Sequence, residues 1–177
     1  MYIIPGFLVS ITTFPGVIVH ELAHQLFCRI TRVAVLDVCY FSLKNPAGYV
    51  THEIPTEPIK QLLIGIGPFL INTILGALIA LPGAIPVIRF GDGHTVDYFF
   101  IWLGISIAMH AFPSIQDAKN IWNGIKKEET PIWIRILATP IVGLIYLCTI
   151  ASVLWFDVIY GMFVAMLIPN IIINLLA

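Results

Sequence analysis

Charge is what this sequence has least of. Only 11% of its 177 residues are Asp, Glu, Lys or Arg, where a water-soluble domain carries about a quarter. Hydrophobic residues make up 59% of the chain and the mean hydropathy is +0.95, so a lipid bilayer is the natural solvent. No polar stretch is long enough for a separate soluble domain, and residues 1–177 read as a single membrane-embedded domain. There is no basic run to bind nucleic acid, and a net charge of −1 favours no charged partner. Cysteine is scarce: Cys28, Cys39 and Cys148 are odd in number and widely spaced, forming neither a disulfide framework nor a CxxC site. They suit small apolar packing positions. The N-terminal segment lacks a basic leader and an A-x-A cleavage site, so its apolar run is expected to be a retained span.

Long apolar runs are present instead. A membrane helix needs about 20 mostly apolar residues. Five segments approach that, at about 2–28, 61–81 (or to 88), 97–113, 132–155 and 158–176. The expected fold is therefore an all-α integral membrane protein of about five transmembrane helices. Pro5 and Pro15 should kink the first of them. Residues 33–54 change texture, with β-branched and aromatic residues either side of the turn cluster Lys44-Asn45-Pro46-Ala47-Gly48, and predict a membrane-associated β-hairpin. The polar stretch 114–130 suits a connection at the membrane surface. Arg29, Arg32, Lys44, Lys60, Lys119, Lys126, Lys127 and Arg135 lie in or beside the first and third loops, and only Arg89 lies on the other side. The positive-inside bias then predicts a multi-pass protein with its N-terminus outside and its C-terminus cytoplasmic.

The chemistry concentrates in His20-Glu21-Leu22-Ala23-His24. At helical pitch, residues four apart share a face, so both imidazoles can reach one tetrahedral Zn²⁺. The intervening carboxylate can take a proton from the attacking water. Three ionisable groups inside an apolar span cost too much to be incidental packing. A catalytic zinc takes a third protein ligand. Among the remaining His and Asp residues, placement at the cytoplasmic end leaves Asp117 or His110, with His52 a weaker choice.

Four motifs together resemble the site-2 proteases, which are intramembrane zinc metalloproteases. HELAHQLFCRI looks like the family's HExxH helix, and residues 33–54 with Gly48-Tyr49-Val50 look like its membrane-associated β segment. Gly67-Pro68-Phe69-Leu70-Ile71-Asn72 is similar to its GPxxN motif, with one residue more. His110 to Asp117 resembles its Asn/Pro/Asp-Gly motif, with His110 where the family has Asn and Ala118 where it has Gly. The resemblance covers about residues 10–120, a three-helix catalytic core, and leaves 131–177 as two additional helices. It implies one zinc per chain on His20, His24 and Asp117, Glu21 as general base, and His110 as oxyanion donor. Gly48, Tyr49, Val50 and Asn72 would bind substrate, a transmembrane segment of another protein captured by strand addition to the hairpin. The expected setting is a prokaryotic cell membrane, with the site towards the cytoplasmic side. An inactive scaffold of the same fold and a metal transporter are the alternative functions; the transporter is disfavoured because it needs polar groups on several helices at matching depth and spans four and five offer almost none.

Overall fold

The computed structural model describes residues 6–127 and 130–176. The first apolar run is two helices, α1 (Gly6–Thr12) and α2 (Phe14–Thr31), broken at Thr13. Pro15 enters α2 without an N–H to continue the ladder, which accounts for the break. α2 ends at Arg32, whose positive φ of 58° lets the N–H groups of Arg32 and Val33 turn back onto the Arg29 and Cys28 carbonyls. The predicted hairpin is present: β1 (Val35–Cys39) pairs antiparallel with β2 (Tyr49–His52), with Cys39 opposite Tyr49 and Val38 opposite Val50. α3 (Pro58–Ala84) continues as a π-helical stretch over Ile85–Phe90. α4 (Thr95–Met109) and α5 (Ile115–Ile125) follow, then α6 (Ile132–Ala151) and a single 3-10 turn, Ser152–Leu154. The chain ends in α7 (Phe156–Met162), a π stretch (Phe163–Leu167) and α8 (Ile168–Leu176).

α4 runs antiparallel to α3, and small residues let the two backbones meet. Gly76 lies against Ala108 and the Gly104 carbonyl, and Gly83 lies against the backbone of Asp97. α2 reaches the same core through Gly16, where any Cβ would collide with the Ser106 carbonyl and the His110 ring. A carbonyl in a helix cannot step aside as a side chain can. Gly16→Ala is therefore expected to cost about 1–3 kcal/mol through overpacking, read as a lowered melting temperature in detergent. An unchanged melting temperature would mean that α2 and α4 do not pack this closely.

The two C-terminal segments do not fold back on one another. α6 follows the first half of α3: Ile134 packs with Leu62 and Ile125, and Cys148 reaches Phe69 and Phe112. The chain then turns at Trp155, itself left-handed at φ 64°. α7 continues along the second half of α3, with Tyr160 bonded to Thr73 and Val164 packed on Ala77 and Ala108. Both segments thus run in the sense of α3. The expectation of five alternating spans did not include this shared sense, because an apolar run does not encode its direction.

Two helical stretches, Pro58–Phe90 and Ile132–Leu154, are long and apolar enough to cross a membrane, and Thr95–Met109 and Phe156–Ile172 are shorter apolar helices. Large apolar side chains face outward on several of them. Ile74 and Leu78 on α3, Phe99 on α4, and Ile136, Leu147 and Ile150 on α6 are all more than half exposed, at 52–70%.

Candidate metal centre

The HELAH run lies in the middle of α2, and its helical pitch brings His20 and His24 onto one face as expected. Each ring is then oriented by a backbone carbonyl. His20 Nδ1 lies 2.6 Å from the carbonyl of His110, and His24 Nδ1 lies 3.0 Å from that of Ile64. A carbonyl only accepts, so both Nδ1 atoms carry hydrogen and donate. In the neutral rings both Nε2 atoms then present lone pairs, and these face each other at 3.2 Å. Two such lone pairs repel unless a cation, a proton or a metal ion, lies between them. A carbonyl accepting from Nδ1 holds a histidine ring in the orientation in which Nε2 can bind a metal.

Asp117 is brought in by a different device. Pro113 follows the end of α4, and Ser114 caps α5. The Ser114 N–H and hydroxyl donate to Asp117 Oδ2 at 2.8 and 2.6 Å, while Asp117 N–H returns a bond to Ser114 Oγ. One carboxylate oxygen is thereby held, and the other, Oδ1, lies 3.6 Å from His24 Nε2. Burial opposes the charge of Asp117, but the nearby His24, then His20 and Ser114, hold its carboxyl below the usual range. As a carboxylate it can only accept. Ligand atoms of His20, His24 and Asp117 all lie within 4.8 Å of one another. Tetrahedral zinc with bonds of about 2.05 Å places its nitrogen ligands about 3.3 Å apart, and the imidazole pair already has that spacing. The donor set and its geometry fit a divalent transition metal.

Glu21, 8% exposed, sits beside the cluster but outside it. Gly48 of the hairpin presses on it: a Cβ there would come within 2.7 Å of Glu21 Cγ and 3.1 Å of Oε1. A cavity of about 360 Å³ opens here, lined among others by His20, Glu21, Gly48, His110, Thr149 and Asp157. The last two come from the end of α6 and the start of α7, which the sequence offered no reason to bring to this site.

The remaining expected residues divide. His110 lines the cavity, but its Nε2 lies 2.8 Å from Thr13 Oγ1, whose own hydrogen goes to the Val9 carbonyl. Nε2–H of His110 is thus spent on Thr13, and the Nδ1 that remains carries a lone pair in the neutral ring. Neither nitrogen suits an oxyanion donor, and His110 is not among the clustered ligands; its carbonyl, by orienting His20, is the part that serves the site. Asn72 does not reach the cavity. It is fully buried, and its Nδ2 donates among the carbonyls of Gly16, Ile107 and His110. It ties Gly16 of α2 to the end of α4 and is not among the residues that line this cavity. Tyr49 turns its hydroxyl to Asp37 at 2.9 Å and, with Val50, borders a second cleft. His52 is bonded to the Glu53 carbonyl in the hairpin and takes no part in the cluster. No family model, curated protein or solved structure matches this chain.

Proposed function

We propose that the protein is an intramembrane zinc metalloprotease that hydrolyses a peptide bond in or near a transmembrane segment of another protein. The observation that carries this reading is the pair of Nε2 atoms 3.2 Å apart, each ring oriented by a carbonyl at its Nδ1, with Asp117 Oδ1 3.6 Å from His24 Nε2. The outward-facing apolar surface supports a bilayer around it, since a soluble monomer rarely exposes contiguous apolar patches beyond a few hundred Å². When bound, the ion supplies Lewis acidity, acidifying water and polarising the scissile carbonyl. His20, His24 and Asp117 hold it, each pre-oriented by a carbonyl or by the Ser114 cap. Glu21 takes the proton from the attacking water and passes it to the leaving amine. Gly48 keeps the hairpin close over Glu21 and excludes bulk water. A substrate helix has its amides tied in i to i−4 bonds, so the segment must unwind before it is cut, and the hairpin edge offers replacement backbone partners.

Elemental analysis of detergent-purified protein tests the metal. About one zinc per chain is expected in the wild type, lost in His20→Ala and Asp117→Ala and kept in His110→Ala. Zinc lost with His110→Ala and kept with Asp117→Ala would exchange their roles. No transition metal in a folded wild type would remove the protease reading and leave the scaffold of the same fold.

A further inference from the structure

The cavity at Glu21 has a side that the hydrolytic chemistry leaves unused. Thr149 at the end of α6, Ser152 in the turn that follows and Asp157 at the start of α7 border it together. Each hydroxyl gives its hydrogen back to its own helix. Thr149 Oγ1 donates to the Ile145 carbonyl at 2.9 Å, and Ser152 Oγ to that of Cys148 at 3.0 Å. Both oxygens are left with lone pairs and no hydrogen to offer. Ser114, also on the cavity, is spent likewise on Asp117. Asp157 accepts the Val158 N–H at Oδ1, 3.0 Å away, and as a carboxylate it has nothing to donate.

This side therefore presents acceptors, and its charge is negative. Asp117 and Glu21 are two carboxylates at the metal centre that a divalent ion would balance. Asp157 is a third carboxylate on the cavity, and among the described residues no basic side chain pairs with it. α6 adds the negative end of its dipole, with no basic residue in its last turn to offset it. A carboxylate that only capped its own helix would be best placed in open water. Asp157 is instead half-buried, on a cavity that Met109 and Phe112 also line. An acid so placed in a membrane protein is costly until a partner of opposite charge arrives.

We propose that Thr149, Ser152 and Asp157 form a subsite for a cationic side chain, Lys or Arg, of the substrate. This deepens the protease reading and rests on it. An ammonium or guanidinium group has only hydrogens to give, which matches a surface that has only lone pairs to receive them. A sphere of about 360 Å³ is roughly 9 Å across, or about three residues of extended chain. The cation therefore lies within about three residues of the cut bond. Apolar spans carry Lys and Arg at their ends, above all at the cytoplasmic end, the side expected for this site. Asp157 thus directs the cut to the basic margin of a span and away from its centre, and it disfavours spans flanked by acids.

The test uses fluorogenic peptides on zinc-loaded protein. They are identical except for Lys or its apolar analogue norleucine, placed in turn at each of about three positions on either side of the cut bond. At the best position, wild type is expected to prefer Lys about tenfold in kcat/KM. Asp157→Asn, which keeps size and shape, should bring that ratio to about one without loss of zinc. Asp157→Lys should turn the preference to a peptide with Glu at that position. Binding supplies a second measurement, independent of turnover. The Glu21→Gln protein should hold the Lys peptide about tenfold tighter than the norleucine peptide, and Glu21→Gln/Asp157→Asn should hold both alike. A ratio near one in wild type at every position, or a preference that survives Asp157→Asn, overturns the subsite and leaves the protease intact. Two zinc ions per chain in wild type, one of them lost in Asp157→Asn, would make Asp157 a metal ligand and equally overturn it. Cleavage of no peptide by zinc-loaded wild type overturns the protease reading, and the two binding constants then decide whether the cavity receives a cationic side chain.

Discussion

Replacing Glu21 with Gln is expected to lower peptide hydrolysis by about 10²–10⁴-fold, the usual contribution of a general acid–base group, without changing zinc content. The amide keeps the size of the carboxylate, so Gly48 and the hairpin stay where they are. What it loses is the ability to take a proton from water. Glu21 is outside the ligand cluster of His20, His24 and Asp117, so the metal should remain. The two readouts, initial rate on a reconstituted single-span substrate and zinc per chain on the same sample, separate chemistry from binding. A variant that keeps its rate would mean that another group moves the proton. A variant that loses zinc would make Glu21 a ligand. An inactive scaffold predicts no turnover in the wild type and therefore no difference at all.

The second large effect concerns the path of the chain across the membrane. With native cysteines at 28, 39 and 148 replaced, single cysteines at positions 44, 92 and 174 can be labelled by an impermeant reagent. Positions 92 and 174 are expected to react from one side and position 44 from the other. The reason is that α6 and α7–α8 run in succession along α3, and α8 packs beside the π stretch that follows α3. On this path α6 and α7–α8 are expected to make one interrupted crossing, with the break at Ser152–Trp155 beside the site cavity. Non-helical backbone at membrane depth is tolerated where it is buried in protein or lines a cavity. Five alternating spans would instead put position 174 on the side of position 44, and that labelling pattern would overturn this path.

Local regularities were legible in the sequence. The four-residue spacing of His20 and His24 needs only helical pitch to become two ligands on one face, and the β-branched stretch around Lys44–Gly48 needs only its turn cluster to become β1 and β2. The scarcity of charge predicted an apolar surface, and Ile136, Leu147 and Ile150 face outward on α6. Each of these depends on residues close in the chain, where geometry is set by the backbone alone. The third member of the cluster could not be chosen that way. His110 and Asp117 both stand near the site, and only the tertiary structure shows the His110 Nε2–H taken by Thr13 and its carbonyl by His20, while the Ser114 cap turns Asp117 towards His24. Direction was equally hidden, because an apolar helix satisfies its backbone whichever way it runs. It took the fit of Tyr160 against Thr73 and Val164 against Ala77 to set α7–α8 parallel to α3. Hydrogen-bond partners and helix sense depend on contacts between residues far apart in the chain, and those contacts exist only once it has folded.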